Sequence, residues 1–399
     1  MNVYLSEPAV LCGAGNNSET LWEAVTQGNQ RGIKKVTALN GKEFYAARID
    51  DQYLQTKSSS KYDMRIMRIE EACLLQLEKT IEKAKEKYPS KRIGVCVGSC
   101  DNGTEFSLKG HRSYFEKGNF EADYSLEIQG ADYVSTFISK KYDLQGPCLT
   151  FSTACSSSAG AIIKAAELIK SGICDAVIAG GVDIASDTVL MGFDSLEAVS
   201  SEITNPFSKN RHGITLGEGA AFFLMSKESF SEKNVRLLGY GESADAYHMT
   251  SPDPSGQGAV KAIKGALSSC GLEAKDIDYV NLHGTGTRFN DSMEAKALDQ
   301  IFGDYKVPCS TTKAVTGHTL GAAGALEAAV SYLTLGKNSL PLQVWDKEAD
   351  PELPAINIVS EKVSLGKSVK ICMSNSFAFG GANSCLILGI ENDGAIPSI

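Results

Sequence analysis

Short, continuous apolar runs recur along this chain, separated by longer stretches with apolar residues at helical spacing. IGVCVG at 93–98, AVIAG at 176–180 and AAFFLM at 220–225 are runs of the first kind. Alternation of the two patterns is that of an α/β protein. It predicts strands over 93–98, 148–151, 176–180, 220–225, 278–282, 370–374 and 385–389. Helices are expected over 19–26, 66–88, 156–171, 259–270, 292–302 and 319–335. The 156–171 helix puts Ile162, Ala165, Ala166 and Ile169 on one face. It stops favourably, with Lys170 in its last turn and Gly172 just beyond. The turn-rich stretch SPDPSGQG at 251–258 punctuates the chain near the junction of two α/β halves. No low-complexity linker, charge block or short tandem period interrupts the pattern.

Composition narrows the class. A chain of 399 residues, 43% apolar and 22% charged, can bury a large core as one big domain or two ordinary ones. A formal charge of −9 argues against broad nucleic-acid binding, which needs a basic face. The start, MNVYLSEPAVLCGAG, lacks the basic-then-apolar order of a secretory signal. No run reaches the roughly 20 apolar residues of a membrane helix. Eleven cysteines, an odd number spread thinly, suit reduced thiols and a cytoplasmic protein better than a disulfide framework. Cys96 and Cys100 are four apart, but no second Cys/His pair accompanies them, so no metal site is expected.

Chemistry concentrates in a few stretches. NLHGTGT (281–287), STTKAVTGHTLGAAGALE (310–327) and SNSFAFGGANS (374–384) are rich in small residues. The first two hold His283 and His318, out of five histidines in all. In FSTACSSSAG (151–160), Cys155 follows a strand-like run and opens a helix. Helix-terminal N–H groups facing its sulfur would lower the thiol pKa and favour the thiolate. One cysteine with two histidines fits two chemistries. In a hydrolase, one imidazole is the base. In decarboxylating acyl transfer, two neutral imidazoles donate N–H groups to a forming enolate. GHTLGAAGA lacks the Gly-Lys-Ser/Thr ending of a P-loop. No G-x-S-x-G elbow is present, and SPDPSG reads as a turn rather than a calcium loop.

Taken together, TACSSS (153–158), HGTGT (283–287), TKAVTGHTLGAAG (312–324) and NSFAFGGAN (375–383) resemble the motifs of the elongating β-ketoacyl-[acyl-carrier-protein] synthases. NPFSKNRHGITLGEGAA (205–221) and AGGVD (179–183) match more loosely. The motifs run in family order over essentially the whole chain. The resemblance implies a thiolase-like, five-layered α-β-α-β-α fold of two pseudo-twofold-related βα halves, here 1–245 and 246–399. It implies that Cys155 carries the acyl group and that His283 and His318 assist decarboxylation of the malonyl unit. The N–H groups of Cys155 and Phe379 would form the oxyanion hole. Lys313 and Glu327 would hold the histidines, Phe379 would gate the acyl channel, and Thr285 and Thr287 would meet the pantetheine arm. No bound cofactor is implied, since substrates ride on the phosphopantetheine of acyl carrier protein. The partners implied are that carrier and a second subunit, identical or related, with neither nucleic acid nor membrane insertion. Lys61, Arg65 and Arg68, on one helical face, are expected to dock the acidic carrier. A non-catalytic chain-length partner, a coenzyme-A-dependent thiolase and a cysteine hydrolase are the alternatives.

Departures from the family pattern suggest a specialised substrate. RFND (288–291) replaces the usual P-x-G-D. Ala378 stands for the glycine before the gating phenylalanine, where a Cβ restricts the loop. Ser208 and His212 replace aspartates. Asp101, in GSCDNGTE, falls where the family places a small or aliphatic residue at the channel's end. A carboxylate there would penalise a long alkyl tail, pointing to short, polar, unsaturated or aromatic chains, as in polyene-type synthesis.

Overall fold

The computed structural model describes residues 1–362 and 366–390. The continuous apolar runs become strands with no exposed residue, notably Ile93–Gly98, Ala176–Asp183 and Gly219–Ser226. Strands that are apolar along their whole length must be covered on both faces, and helices do this.

The main sheet has 12 strands and is built from one arrangement used twice. In the first half the spatial order is Cys148–Phe151, Ile93–Gly98, Ala176–Asp183, Gly219–Ser226, Ala9–Cys12. In the second half it is Pro308–Ser310, Tyr279–Asn281, Ile371–Phe377, Ala382–Ile390, Val235–Ala244. In each half the first three strands are parallel, and the fourth alone runs against the rest. The short strand Tyr4–Leu5 pairs with both Gly219–Ser226 and Val235–Ala244 and so stitches the halves together. Val235–Ala244 belongs by its pairing to the second half, so the halves divide between Ser226 and Val235, earlier than the expected boundary at 245.

Helices Ser157–Lys170 and Ala323–Lys337 lie between the two half-sheets, touching both of them and each other. Arg65–Leu75 and Tyr133–Lys141 cover the outer face of the first half, while Gln257–Ser269 and Arg288–Phe302 cover that of the second. These are the five layers that the resemblance implied. One central and two outer apolar cores fill them, and a smaller apolar cluster around Phe44, Leu190 and Leu216 stands beside them among the described residues.

Small residues let the central layer close. A Cβ on Gly98 would lie 2.2 Å from the backbone N of Ser158, and one on Gly324 would lie 2.8 Å from that of Ala159. The Ala325 N–H also donates to Ser158 Oγ at 2.8 Å, tying one central helix to the other.

The expected helix over 66–88 is two helices, Arg65–Leu75 and Glu78–Lys87. Gln76 breaks it. Its side chain accepts from the Val10 N–H (3.2 Å) and donates to the Val10 carbonyl (2.8 Å), capturing a strand distant in sequence.

Candidate active site

Both central helices begin in the same way, and this brings the chemistry together. Ala154, with φ +50°, precedes Cys155 in a 3-10 turn (Ala154–Ser156) that feeds Ser157–Lys170. Leu320, with φ +54°, sits in the turn Leu320–Ala322 that feeds Ala323–Lys337. A non-glycine residue in this left-handed region is strained by about 1–2 kcal/mol, and here it aims the preceding loop at the opposite half. Asp183 fastens the junction, accepting from the N–H groups of Cys100 and Gly321, each at 2.8 Å.

Cys155 and His318 therefore meet: Sγ lies 3.0 Å from His318 Nε2. The second imidazole, His283, stands edge-on to the first with ring centroids 5.4 Å apart. One ligand-type atom from each of Cys155, His283 and His318 lies within 4.8 Å of the others. Burial, then the Lys313 cation and the neighbouring ring, hold His283 well below the usual histidine range. Burial and Lys313 do the same to His318. Both rings are neutral at pH 7.

Lys313 is 1% exposed. Its ammonium donates to the His283 carbonyl at 2.5 Å and to Glu327, and it lies 3.5 Å from His283 Nδ1. An ammonium can only donate. His283 Nδ1 therefore acts as acceptor, and its ring hydrogen sits on Nε2, facing the cavity. Burial raises Glu327 to about 7 against the pull of Lys313. Glu294, invisible to motif reading, holds the His283 loop by accepting from the N–H groups of His283 and Gly284, each at 2.8 Å.

The sulfur differs from expectation. Burial pushes the Cys155 thiol up to about 11, outweighing Lys313 and the hydrogen bonds from the backbone N–H groups of Phe379 and Cys155. Cys155 rests as a thiol, because loss of water costs the thiolate more than the helix start returns. Those two N–H groups are nonetheless the pair expected to form the oxyanion hole.

A cavity of about 380 Å³ opens onto this floor. Cys155, His283, His318, Thr285, Thr287, Ala378 and Phe379 are in its walls, together with Phe193, His212 and Arg288. Thr285 and Thr287 share a hydroxyl–hydroxyl bond at 3.0 Å, and Thr287 caps the Arg288–Phe302 helix. The Phe379 ring stacks on Phe193 at 5.7 Å.

Other expected positions fall elsewhere. Asp101 is buried outside these walls, accepting from the Tyr133 hydroxyl (2.6 Å) and the Gly103 N–H (2.7 Å). Arg65 is no free surface charge: it donates to the fully buried Glu218 at 2.6 Å and to Asp51 at 2.6 Å. Arg68 is spent on Asp63 at 2.7 Å and Lys61 on Glu127 at 3.1 Å. A carrier-docking role for this trio would have to displace those acids.

A buried thiol, two neutral imidazoles and a caged lysine on a doubled α/β scaffold define a condensing type of acyl-transfer site. Residues 9–230 match the β-ketoacyl synthase N-terminal domain model, and residues 235–344 match the C-terminal one. The chain belongs to the β-ketoacyl synthase family and is a carbon–carbon bond-forming acyltransferase. It is 33% identical to 3-oxoacyl-[acyl-carrier-protein] synthase 2 of Coxiella burnetii, with 97% of this chain and 98% of the relative covered. With the Vibrio cholerae protein of that name it shares 31% identity over 96% of this chain and 98% of the relative. Among solved structures it is similar to a chain of the ketosynthase (ApeO)–chain length factor (ApeC) complex from Xenorhabdus doucetiae. The TM-score there is 0.88 at 37% identity, covering 98% of both chains. No helix among the described residues is long and apolar enough to cross a membrane.

Proposed function

We propose that Cys155 is acylated from an acyl carrier protein and that the acyl group is then extended by two carbons from malonyl carrier protein. The contact that carries this reading is the 3.0 Å approach of Cys155 Sγ to His318 Nε2, on a floor that also holds His283. In the first half-reaction, His318 takes the thiol proton as sulfur attacks the incoming thioester. The tetrahedral oxyanion meets the N–H groups of Cys155 and Phe379, and the carrier thiolate leaves and is protonated by solvent. His318 keeps the thiol proton on Nε2 and releases its other ring hydrogen, so that it is neutral again. Malonyl carrier protein then binds, the bond to its carboxylate carbon breaks, and carbon dioxide leaves. The enolate oxygen accepts N–H groups from both imidazoles, and the carbanion attacks the acyl carbon. The same N–H pair stabilises this second tetrahedral state before the Cys155 thiolate departs and is reprotonated. Lys313 keeps the rings neutral and fixes the His283 hydrogen on Nε2.

Asp101 and Tyr133 lie outside the cavity walls, and in this reading an acyl chain that runs past those walls heads toward them. Cys100, next to Asp101, places its sulfur 3.3 Å from the Ala154 carbonyl, directly behind the nucleophile. A long alkyl tail would there meet a carboxylate, so short or polar chains are favoured. A second subunit, identical or related, accompanies the chain, as the ketosynthase and chain length factor do in the similar complex. Incubation with a panel of acyl carrier proteins, followed by mass spectrometry, tests both points. Acyl mass on Cys155 from short or polar chains is expected; no acylation at all refutes the synthase, and robust use of saturated C14 refutes the chain preference.

A further inference from the structure

The synthase reading brings a phosphorylated arm to the cavity, and one exposed cation in the cavity wall is positioned to meet it. Arg288 lines the same cavity as Cys155, yet it is exposed whereas the thiol is buried, so it stands at the mouth. It is the first residue of the helix Arg288–Phe302, behind the cap Thr287. Its guanidinium has no ion pair or hydrogen bond among the described residues. The acid whose field reaches it, Asp350, is already held by Arg211 at 2.5 Å. Glu197 is the acid in the cavity wall and makes no ion pair with Arg288. From floor to mouth the wall offers hydroxyls from Thr285, Thr287, Thr250 and Ser251. Those groups suit the amides of a pantetheine chain, whereas an unpaired guanidinium suits a phosphodiester through its paired donors.

We propose that Arg288 binds the phosphodiester of the substrate's phosphopantetheine arm, so that the enzyme prefers thioesters on a phosphorylated arm to the same thioesters on bare pantetheine. The cation is this chain's own, since RFND stands where the family pattern has P-x-G-D. A mobile arm tethered at its charged end presents the thioester to Cys155 in fewer orientations, which raises kcat/KM.

The inference rests on the synthase reading and is tested separately from it. Rates of Cys155 acylation are compared for one acyl group on phosphopantetheine and on pantetheine, each variant serving as its own reference. The wild type should favour the phosphorylated thioester by about tenfold. Arg288→Gln should bring that ratio to about one, Arg288→Lys should retain part of it, and Arg288→Glu should push it below one. Raising the salt concentration should shrink the wild-type ratio. A ratio unchanged in Arg288→Gln overturns the proposal, as does an equal loss on both substrates. If neither thioester nor any acyl carrier protein acylates wild-type Cys155, the synthase reading itself falls and this inference with it.

Discussion

Replacing His283 by alanine should separate the two half-reactions. The His318 nitrogen touches the sulfur at 3.0 Å, whereas no hydrogen bond joins His283 to Cys155. His283 instead presents Nε2–H to the cavity because Lys313 occupies its other side. In the proposed cycle its ring is therefore needed only once an enolate forms. Loss of one preorganised donor to a developing oxyanion costs about 10²–10³ in rate, or about 3–4 kcal/mol. His283→Ala should lower carbon dioxide release from malonyl carrier protein by that factor. Acylation of Cys155 should fall by no more than about tenfold, the allowance for a neighbour lost from a packed site. Single-turnover mass spectrometry follows the acyl-enzyme, and trapped labelled carbon dioxide follows the second step. His318→Ala should damage both steps, since that ring also accepts the thiol proton. If His283→Ala slowed acylation as much as decarboxylation, the division of labour between the rings would be wrong.

Three further outcomes follow from burial and charge. With the thiol pushed up to about 11, it is protonated at neutral pH; alkylation of Cys155 by iodoacetamide should rise about tenfold per pH unit from 7 to 9, and a plateau near pH 7 would show a preformed thiolate. Arg65→Met strips the fully buried Glu218 of its closest cation, leaving Arg48 at 3.2 Å. It should destabilise the fold by about 3–5 kcal/mol, read as a lower Tm, and an unchanged Tm would restore Arg65 as a free surface charge. Gly98→Ala drives a Cβ to 2.2 Å from the Ser158 backbone; it should prevent soluble folding or abolish Cys155 acylation, and a fully active variant would show the central layer to be looser than described.

Much of the scaffold was legible in the chain. The strands Ile93–Gly98 and Cys148–Phe151 begin and end where their apolar runs do, because an uninterrupted run bounded by turn residues is a purely local signal. The Gly-rich loops around His283 and His318, and the small residues after Cys155, marked the chemistry for a similar reason: each motif fits within about a dozen residues. The break at Gln76 was not legible, because its partner is Val10. Nor was the inward turn of Arg65, because its partner Glu218 lies more than a hundred residues further along the chain. The helices Thr104–Lys117, Tyr133–Lys141 and Asp187–Ser195 were also missed; the first and last bury few of their residues and the second is short, so each carries only a weak periodic pattern.

The sequence by itself determined which residues could react and which elements would carry them. Only the tertiary structure decided their protonation and their neighbours. The affinity of Cys155 for its proton depends on how completely the two halves exclude water around it. The neutrality of both imidazoles depends on their burial and then on Lys313, which reaches His283 from a segment thirty residues further along the chain. Solvation and long-range charge are properties of the assembled interior, and no stretch of chain contains them before it folds.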